Sequence, residues 1–359
     1  MSTISLCMIV KNEENVLSRC LDSIKELIDE IIIVDTGSTD NTKSIAKKYT
    51  DKIYDFQWID DFSAARNFSF SKSTMEYSMW MDADDVFNYK YKNEFLDLKK
   101  AGFNSADIIM MPYITSFDED GNPVFSYYRE RIIKSSIDFS WKGKVHEVIS
   151  HSSNNYLYSE ISIIHKSVKE TYTDRNLKIY EKQISDGDDL SPRDMFYYGR
   201  ELFYHQKYNE SIICLTRFLN MPGGWVENKI EACKFLSYSH NKLDNKNSAL
   251  TDLFLTFSYD TPRAEICCEI GALFMQLQNF KAAIFWYKLA LKIPLNEKSG
   301  AFISKDCYGY IPYIQLCVCY DKIGEHNKAM EYNALAGKIR PNSPSYITNL
   351  QYFESLNNK

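Results

Sequence analysis

The chain has 359 residues, of which 45% are hydrophobic and 25% charged, and its formal net charge is -6. This composition is that of an ordinary globular protein, and the length suits two domains of about 100–200 residues each. The negative charge argues against non-specific nucleic-acid binding as the main role. No apolar stretch approaches the roughly 20 residues of a membrane span.

The N-terminal residues and the cysteines bear on cellular location. Residues 1–6 lack the basic segment of a signal peptide and lead directly into an apolar, strand-like run. Nine cysteines are an odd number, and no C-x-x-C pair of the zinc-binding kind is present. We therefore expect reduced thiols and a cytoplasmic protein without an integral membrane segment.

The first half of the chain alternates between apolar runs and helical periodicities. The run Ile4–Val10 predicts a buried strand, and apolar residues at helical spacing predict a helix over residues 16–27. Further strands are predicted at residues 30–35, 52–58, 77–81, 107–113, 127–134 and 161–165. This alternation is typical of an α/β domain with a parallel sheet.

Two of the predicted strands end in acidic residues, one at Asp35 and one at residues 82–85. In open α/β sheets, ligands bind beyond the carboxyl ends of the strands. Because residues i and i+2 of an extended segment point to one side, Asp82 and Asp84 could share a cation. Their hard oxygen ligands suit Mg²⁺ or Mn²⁺. Taken alone, the same residues also fit a turn, and Asp35 fits helix capping.

Four segments together resemble the successive motifs of the family 2 glycosyltransferases, in order and in spacing. They are SLCMIVKNEE at residues 5–14, VDTGSTDNT at 34–42, FSAARN at 62–67 and MDADD at 81–85. The resemblance implies a GT-A fold, a UDP-sugar donor and an inverting transfer. Neither a G-x-G-x-x-G fingerprint nor a P-loop is present.

The resemblance also implies a donor site. Asp35 would contact the uracil or ribose, and Arg66 would lie near the pyrophosphate, where a guanidinium suits phosphate oxygens. Asp82 and Asp84 would frame the metal and the donor ribose. The expected donor-binding residues are Val10, Asn12, Glu13, Asp35, Ser38, Arg66, Asp82, Ala83 and Asp84. Outside this context, Arg66 would be a surface ion pair.

Two later segments look like motifs of the family 2 enzymes that carry tetratricopeptide repeats, including the SunS-like peptide S-glycosyltransferases. They are WKGKVHE at residues 141–147 and the strand that ends at His165. In many GT-A enzymes a histidine downstream of the D-x-D completes the metal site. The expected metal ligands are therefore Asp82, Asp84 and His165, with His146 as the competing histidine. Either histidine could instead be hydrogen-bonded within the fold.

Inverting transfer needs a base that takes the acceptor's proton. Glu147 is the first candidate and His146 the second, although Glu147 could equally be the structural partner of an arginine. Trp141 and Arg131 are expected to contact the substrate, with Trp141 stacked on the sugar. A tryptophan is, however, more often part of the core.

The second half of the chain reads as helix pairs. Gly271, Ala283, Tyr287 and Ala290 stand at the spacings of a tetratricopeptide repeat, and the same frame recurs before and after them. The gaps between frames predict a degenerate repeat near residues 232–259 and an insert near 296–306. Stacked pairs leave a concave surface for a peptide or partner. The array could instead buttress the first domain or form a homodimer.

Together these observations predict a GT-A domain over residues 1–187 and a tetratricopeptide-like helical domain over 188–359. The predicted activity is metal-dependent transfer of glucose or GlcNAc from a UDP-sugar to a cysteine, serine or threonine of a peptide or protein, a bacteriocin precursor being one option. Two alternatives remain open. The acceptor could be a cell-surface glycan or a lipid-linked molecule, or the chain could be a non-catalytic scaffold with a residual nucleotide site.

Overall fold

The computed structural model describes residues 1–168, 173–296 and 302–357. It divides into two compact units, one comprising residues 1–115 and 127–185 and the other residues 116–126 and 186–359. The first unit is an α/β domain and the second is an array of helices. The predicted fold class, an α/β domain followed by an all-helical array, is therefore confirmed.

The first unit is built around a mixed sheet. Its strands are β1 (Ile4–Val10), β2 (Glu30–Asp35), β3 (Ile53–Asp55), β4 (Tyr77–Trp80), β5 (Asp85–Phe87), β6 (Ile108–Phe117), β7 (Pro123–Lys134), β8 (Phe139–Lys142), β9 (Val148–His151), β10 (Tyr156–Tyr158) and β11 (Ile163–His165). Its helices are α1 (Leu17–Ile24), α2 (Thr42–Ala46), α3 (Phe62–Phe70), α4 (Lys92–Lys100) and α5 (Arg175–Ser185).

The strand order is β3-β2-β1-β4-β7-β6-β11-β5, with β10 beside β6 and with β8 and β9 paired separately. Strand β1 runs parallel to β2 and β4, as predicted, but β7 is antiparallel to β4 and β5 is antiparallel to β11. The prediction of a parallel sheet therefore holds only in part: beyond β4 the sheet is mixed, since β10 and β11 run parallel to β6 whereas β5 and β7 have antiparallel neighbours. The physical reason is that β7 follows β6 through a short turn, which can join only antiparallel neighbours.

Both faces of the central strands are covered, which explains their continuous apolar sequences. Leu6 and Met8 of β1 belong to the cluster that contains α1, whereas Cys7 between them belongs to a second cluster. That second cluster also contains Trp80 and Trp141. The sheet therefore separates two cores, and the strand ends are the places where polar side chains can emerge.

Glu30 is a buried carboxylate near the start of β2 with several hydrogen-bond donors. Lys52, the hydroxyl of Ser5 and both the amide and the hydroxyl of Thr74 donate to it. Burial by itself would raise the pKa of Glu30, but these hydrogen bonds outweigh it and lower the pKa to about 2. The folded state therefore favours the charged carboxylate.

Replacing Glu30 with glutamine is expected to destabilise the chain by about 1–3 kcal/mol at neutral pH, because the buried donors lose a charged acceptor. Since the folded-state pKa lies below the ordinary value of 4.5, the wild-type advantage is full above pH 4.5 and is lost as the pH falls towards 2. Urea unfolding at about pH 7 and about pH 3 measures both effects. The exposed Glu76→Gln is the control, and a Glu30→Gln midpoint equal to that of this control would contradict the account.

The second unit consists of helix pairs. Its elements are α6 (Pro192–Tyr204), α7 (Tyr208–Asn220), α8 (Val226–Lys242), α9 (Lys246–Leu255), α10 (Ala264–Gln276), α11 (Phe280–Ala290), β12 (Ile303–Ser304), α12 (Tyr310–Lys322), α13 (His326–Ile339) and α14 (Pro344–Asn357). The predicted degenerate repeat is the pair α8 and α9. Residues 297–301 of the predicted insert lie outside the described residues.

Close packing within a pair depends on a glycine. A Cβ atom added at Gly271 of α10 would lie 2.8 Å from the ring of Tyr287 in α11. Tyr287 is 1% exposed, so its ring has no room to move aside. The glycine and tyrosine of the predicted repeat frame are thus the two sides of one contact.

Gly271→Ala is expected to destabilise the chain by about 1–3 kcal/mol through overpacking. Helix propensity alone predicts the opposite sign, a gain of up to about 1 kcal/mol. Thermal unfolding of this variant, beside an exposed control such as Lys281→Ala, measures the effect. A melting temperature for Gly271→Ala above that of the wild type would show that an added methyl group fits at this contact, and would contradict the account.

The turn between β6 and β7 belongs to the second unit rather than to the first. In that unit Arg340 lies 2.7 Å from Asp306, 3.6 Å from Asp118 and 3.8 Å from Glu119. Strand β12 adds two residues antiparallel to residues 125–126. The chain therefore passes between the units more than once.

Candidate active site

The carboxyl ends of β1, β2 and β4 lie side by side and carry most of the predicted donor-site residues. Val10 pairs in register with Asp35, and the amide of Thr36 donates to the Val10 carbonyl at 2.9 Å. Asp82 is the second residue after β4, the strand that neighbours β1 on its other side. The sheet thus brings together motifs that are about 25 and 50 residues apart in sequence.

The turn after β2 is shaped by Asp35. Its Oδ1 atom accepts the amides of Gly37 at 3.0 Å and Ser38 at 2.9 Å. Asn12, at φ 55°, donates its amide to the Ser38 hydroxyl at 2.9 Å and accepts the Thr39 amide at 2.8 Å. Within the described part of the chain, Asp35 Oδ2 is buried and has no hydrogen-bond partner. Such an acceptor fits a ligand that brings its own donor.

Residues 82–85 form a turn in which the Asp85 amide donates to the Asp82 carbonyl at 3.0 Å. The turn directs the side chains apart, because Asp82 pairs with Arg66 whereas Oδ1 of Asp84 lies 3.6 Å from Nδ1 of His165. The ligand-type cluster that results contains Asp84, Asp85 and His165, whose ligand atoms lie within 4.8 Å of one another. Asp82 is not part of this cluster, since the segment turns where the alternation argument assumed an extended strand.

Arg66 of α3 lies between two tryptophans and joins two carboxylates. Its guanidinium is 4.9 Å from the Trp80 ring and 4.8 Å from the Trp141 ring. Nη2 donates to Asp82 at 2.7 Å, and Nε donates to Glu147. The residue is 6% exposed. Arg66 therefore holds two acidic side chains of the site in place.

The predicted base and its neighbour lie in the loop between β8 and β9. Glu147 is the partner of Arg66, which is the structural alternative that the sequence left open. Its second oxygen has no hydrogen-bond partner among the residues that the structure describes. His146 has a φ of 50°, a left-handed conformation that is costly for a residue with a side chain. The loop is therefore held in an unusual conformation next to Arg66.

Trp141 and Arg131, the two residues expected to contact substrate, are both buried. Trp141 is 2% exposed and packs edge-to-face on Trp80, and Arg131 is 0% exposed and pairs with Asp85 at 3.0 Å. Neither has a surface to offer a sugar in this structure. Both lie in the interior behind the site, and Arg131 stands in a run of three buried residues because both faces of β7 are covered there.

Two further residues of the site were missed from the sequence. Asp85 is fully buried, and its oxygens accept hydrogen bonds from Arg131 at 3.0 Å, the Asp82 amide at 3.1 Å and the Tyr113 hydroxyl at 2.8 Å. The run of three acids at 82–85 was a signal for Asp85. Tyr113 had none, since a tyrosine within an apolar strand is ordinary.

The charges at the site favour a cation. Burial raises the pKa of Asp84, and the neighbouring Asp82 and Asp85 raise it further. The pKa of His165 is also raised, by hydrogen bonding towards Asp85 and by the charge of Asp84. In both residues the neighbouring carboxylates contribute to the raised pKa, so negative charge is concentrated at this site. Carboxylate oxygen and imidazole nitrogen together suit Mn²⁺, so the residues fit a divalent metal.

Residues 5–154 match the family model described as glycosyl transferase family 2. Apart from residues 116–126, this match lies within the first unit, which is therefore similar to the family 2 glycosyltransferases over these residues. The SunS glycosyltransferase of Bacillus subtilis is 29% identical over 230 residues, which cover 61% of this chain and 53% of SunS. A tetratricopeptide repeat-containing protein of Synechococcus elongatus is 31% identical over 152 residues, or 42% of this chain and 36% of that protein. The match thus spans between about a third and a half of these relatives.

Among solved structures, that of Staphylococcus aureus TarS resembles the chain with 13% identity and a TM-score of 0.38, over 68% of this chain and 54% of TarS. In residues 1–168, 173–296 and 302–357, no helix has the length and apolarity that crossing a bilayer requires.

Arg66→Met is expected to destabilise the chain by about 3 kcal/mol, because it leaves Asp82 and Glu147 without their counter-charge. The double variant Arg66→Met/Glu147→Gln should recover part of that loss, since one of the stranded charges is removed. Urea unfolding compares both with Arg217→Met, an exposed arginine of α7. Stability of Arg66→Met at the level of this control would contradict the role given to Arg66.

Proposed function

We propose that the chain is an inverting glycosyltransferase that moves a sugar from a UDP-sugar to a side chain of a peptide or protein. The observation that carries the proposal is the position of Asp35 and Asp84 within the segment that matches family 2, with His165 beside Asp84. Among the described residues, a buried acceptor without a partner and a candidate cation site lie beyond the same edge of one sheet.

For the donor, Asp35 Oδ2 would accept a hydrogen bond from the base or ribose. Asn12 and Ser38 hold the neighbouring loops together and would form the rim of the nucleotide site. Val10 ends β1, Glu13 belongs to the loop after it and Ala83 to the acidic turn, and all three would contact the donor through the backbone. The hydrogen bond between Asn12 and Ser38 is already present in the structure, which lowers the free-energy cost of ordering the site when a donor binds.

Asp84 and His165 would hold Mn²⁺ or Mg²⁺. When bound, the metal would neutralise charge that develops on the departing diphosphate. Asp82 is committed to Arg66 and would contact the donor from its exposed side, since its side chain is 39% exposed. Asp82 and Asp84 would thus have different roles, because Asp82 pairs with Arg66 whereas Asp84 lies beside His165.

The base must take a proton from the acceptor as the acceptor attacks the anomeric carbon. Glu147 would serve through the oxygen that Arg66 does not bind, with Arg66 fixing its position. His146 is the alternative base in the same loop. A cysteine, serine or threonine acceptor is compatible with either residue, and glucose and GlcNAc are the sugars that we expect.

The helical array would bind the acceptor. Its helices α8 and α10 present polar groups, including an ion pair of Lys234 with Glu231 at 2.7 Å and a hydrogen bond from Tyr238 to Glu269 at 2.6 Å. Such groups can exchange partners with a peptide, and stacked pairs create an extended surface.

The nine cysteines are all free and buried, in agreement with a reducing, cytoplasmic environment.

Release of UDP from a panel of UDP-sugars, with and without Mn²⁺, tests the proposal. One donor should be hydrolysed slowly in a metal-dependent manner, and Asp84→Asn and His165→Gln should each reduce the rate by about 10–100-fold, the usual effect of weakening a metal site. Asp97→Asn, an exposed aspartate of α4, should match the wild type. Binding of UDP with no release from any donor, and no transfer to any peptide, would instead favour a non-catalytic scaffold.

A further inference from the structure

A chain of three hydrogen-bonding side chains lies behind the proposed metal site. The Tyr113 hydroxyl is 2.8 Å from Asp85 Oδ1 and 2.8 Å from His165 Nδ1. Strand β11 holds the three together, because His165 pairs in register with Asp85 of β5 and Ile163 pairs with Tyr113 of β6. The arrangement is thus set by the sheet and does not depend on a mobile loop.

The direction of these hydrogen bonds follows from Asp85. The Oδ2 atom of Asp85 accepts from Arg131 and from the Asp82 amide, whereas Tyr113 is the hydrogen-bond donor to Oδ1. Asp85 is 0% exposed and Tyr113 is 8% exposed, so water cannot readily replace the tyrosine. If Tyr113 turned its proton towards His165, a buried carboxylate oxygen would lose its hydrogen bond.

The Tyr113 hydroxyl has one proton to donate, and this proton forms the 2.8 Å hydrogen bond to Asp85 Oδ1. Towards His165, Tyr113 can therefore only accept, and Nδ1 must be the donor. The same nitrogen lies 3.6 Å from Oδ1 of Asp84 and 3.6 Å from Oδ1 of Asp85, and both oxygens favour a proton on it. The neutral imidazole then has its lone pair on Nε2, for which no hydrogen-bond partner exists among the described residues.

We propose that Asp85 and Tyr113 are positioning residues that fix His165 as its Nδ1–H tautomer and so present Nε2 to a divalent cation. The part that concerns the cation rests on the proposed function. Asp84 and His165 are then the ligands, and Asp85 stands behind them with both oxygens already in use. An outer carboxylate that orients a metal-binding histidine is a common device, but here a tyrosine transmits its effect.

Nitrogen NMR of histidine-labelled protein tests the tautomer without any metal or substrate. The wild-type His165 signal, assigned by its absence in His165→Gln, should show a protonated Nδ1 and an unprotonated Nε2 at about pH 9, well above the usual histidine pKa of about 6.5. In Tyr113→Phe the signal should shift towards a mixture of tautomers. A wild-type Nε2–H tautomer, or an unchanged signal in Tyr113→Phe, would overturn the proposal.

Tyr77→Phe is the matched control. Tyr77 is buried in the same unit and donates a single hydrogen bond, to the Ala106 carbonyl at 2.9 Å. It should cost stability as Tyr113→Phe does but leave the His165 signal unchanged. A purely structural role for Tyr113 would make the two variants alike. If Tyr113→Phe failed to fold, the wild-type spectrum would still decide the tautomer.

Binding of Mn²⁺, measured from the free-ion electron paramagnetic resonance signal, tests the second part. Tyr113→Phe should weaken the affinity by about 10-fold or more, and Tyr77→Phe should not change it. Equal affinity in wild type and Tyr113→Phe would overturn the claim that the tyrosine prepares the metal ligand. Absence of Mn²⁺ binding by the wild type would instead count against the proposed function, and the nitrogen spectrum would still decide the tautomer.

Discussion

Two buried arginines hold the acidic turn after β4 in shape. Arg66 neutralises Asp82, and Arg131 neutralises Asp85, while both guanidinium groups lie against the ring of Trp80, at 4.9 and 3.9 Å. Three carboxylates within four residues would otherwise repel one another in a poorly solvated place. With two of them paired, Asp84 is left to face His165. The selection of one carboxylate for a cation is thus a result of the pairing of the others.

The same pairs connect the site to the rest of the domain. Arg66 comes from α3 and Arg131 from β7, so the turn is held from a helix and from an antiparallel strand. His165 reaches the turn because β11 pairs with β5 directly after it. Breaking a buried pair leaves an uncompensated charge, which makes such positions costly to change. The geometry of the site therefore depends on the folding of the whole first unit.

Much of the fold was predictable from local patterns. Apolar runs that stop at Asp35 and at residues 82–85 predicted β2, β4 and their acidic ends correctly. A strand buried on both faces has a continuous apolar sequence, which can be recognised locally. The spacing of Gly271 and Tyr287 likewise predicted a helix pair, and the two residues are in contact. The antiparallel placement of β7 was missed, since periodicity reports that a strand exists and says nothing of its neighbours.

The side-chain partners could not be predicted in the same way. Arg66 and Glu147 are 81 residues apart, and Tyr113 and His165 are 52 apart, so no local pattern relates them. The pairing of Asp82 with Arg66 was not foreseen, because the D-x-D lies in a turn, where alternation does not apply. The role of a single residue in a motif therefore depends on its long-range contacts, because these decide which of its atoms can still bind a ligand.

A crystal structure with UDP and Mn²⁺, using the anomalous signal of manganese, tests the central claim most directly. We predict a metal peak within bonding distance of Asp84 and of His165 Nε2, with the Arg66–Asp82 pair intact and the nucleotide base or ribose donating to Asp35. A metal bound by Asp82 with Arg66 displaced, or by His165 Nδ1 with Tyr113 turned away, would contradict the account. So would UDP bound elsewhere than at the ends of β1, β2 and β4.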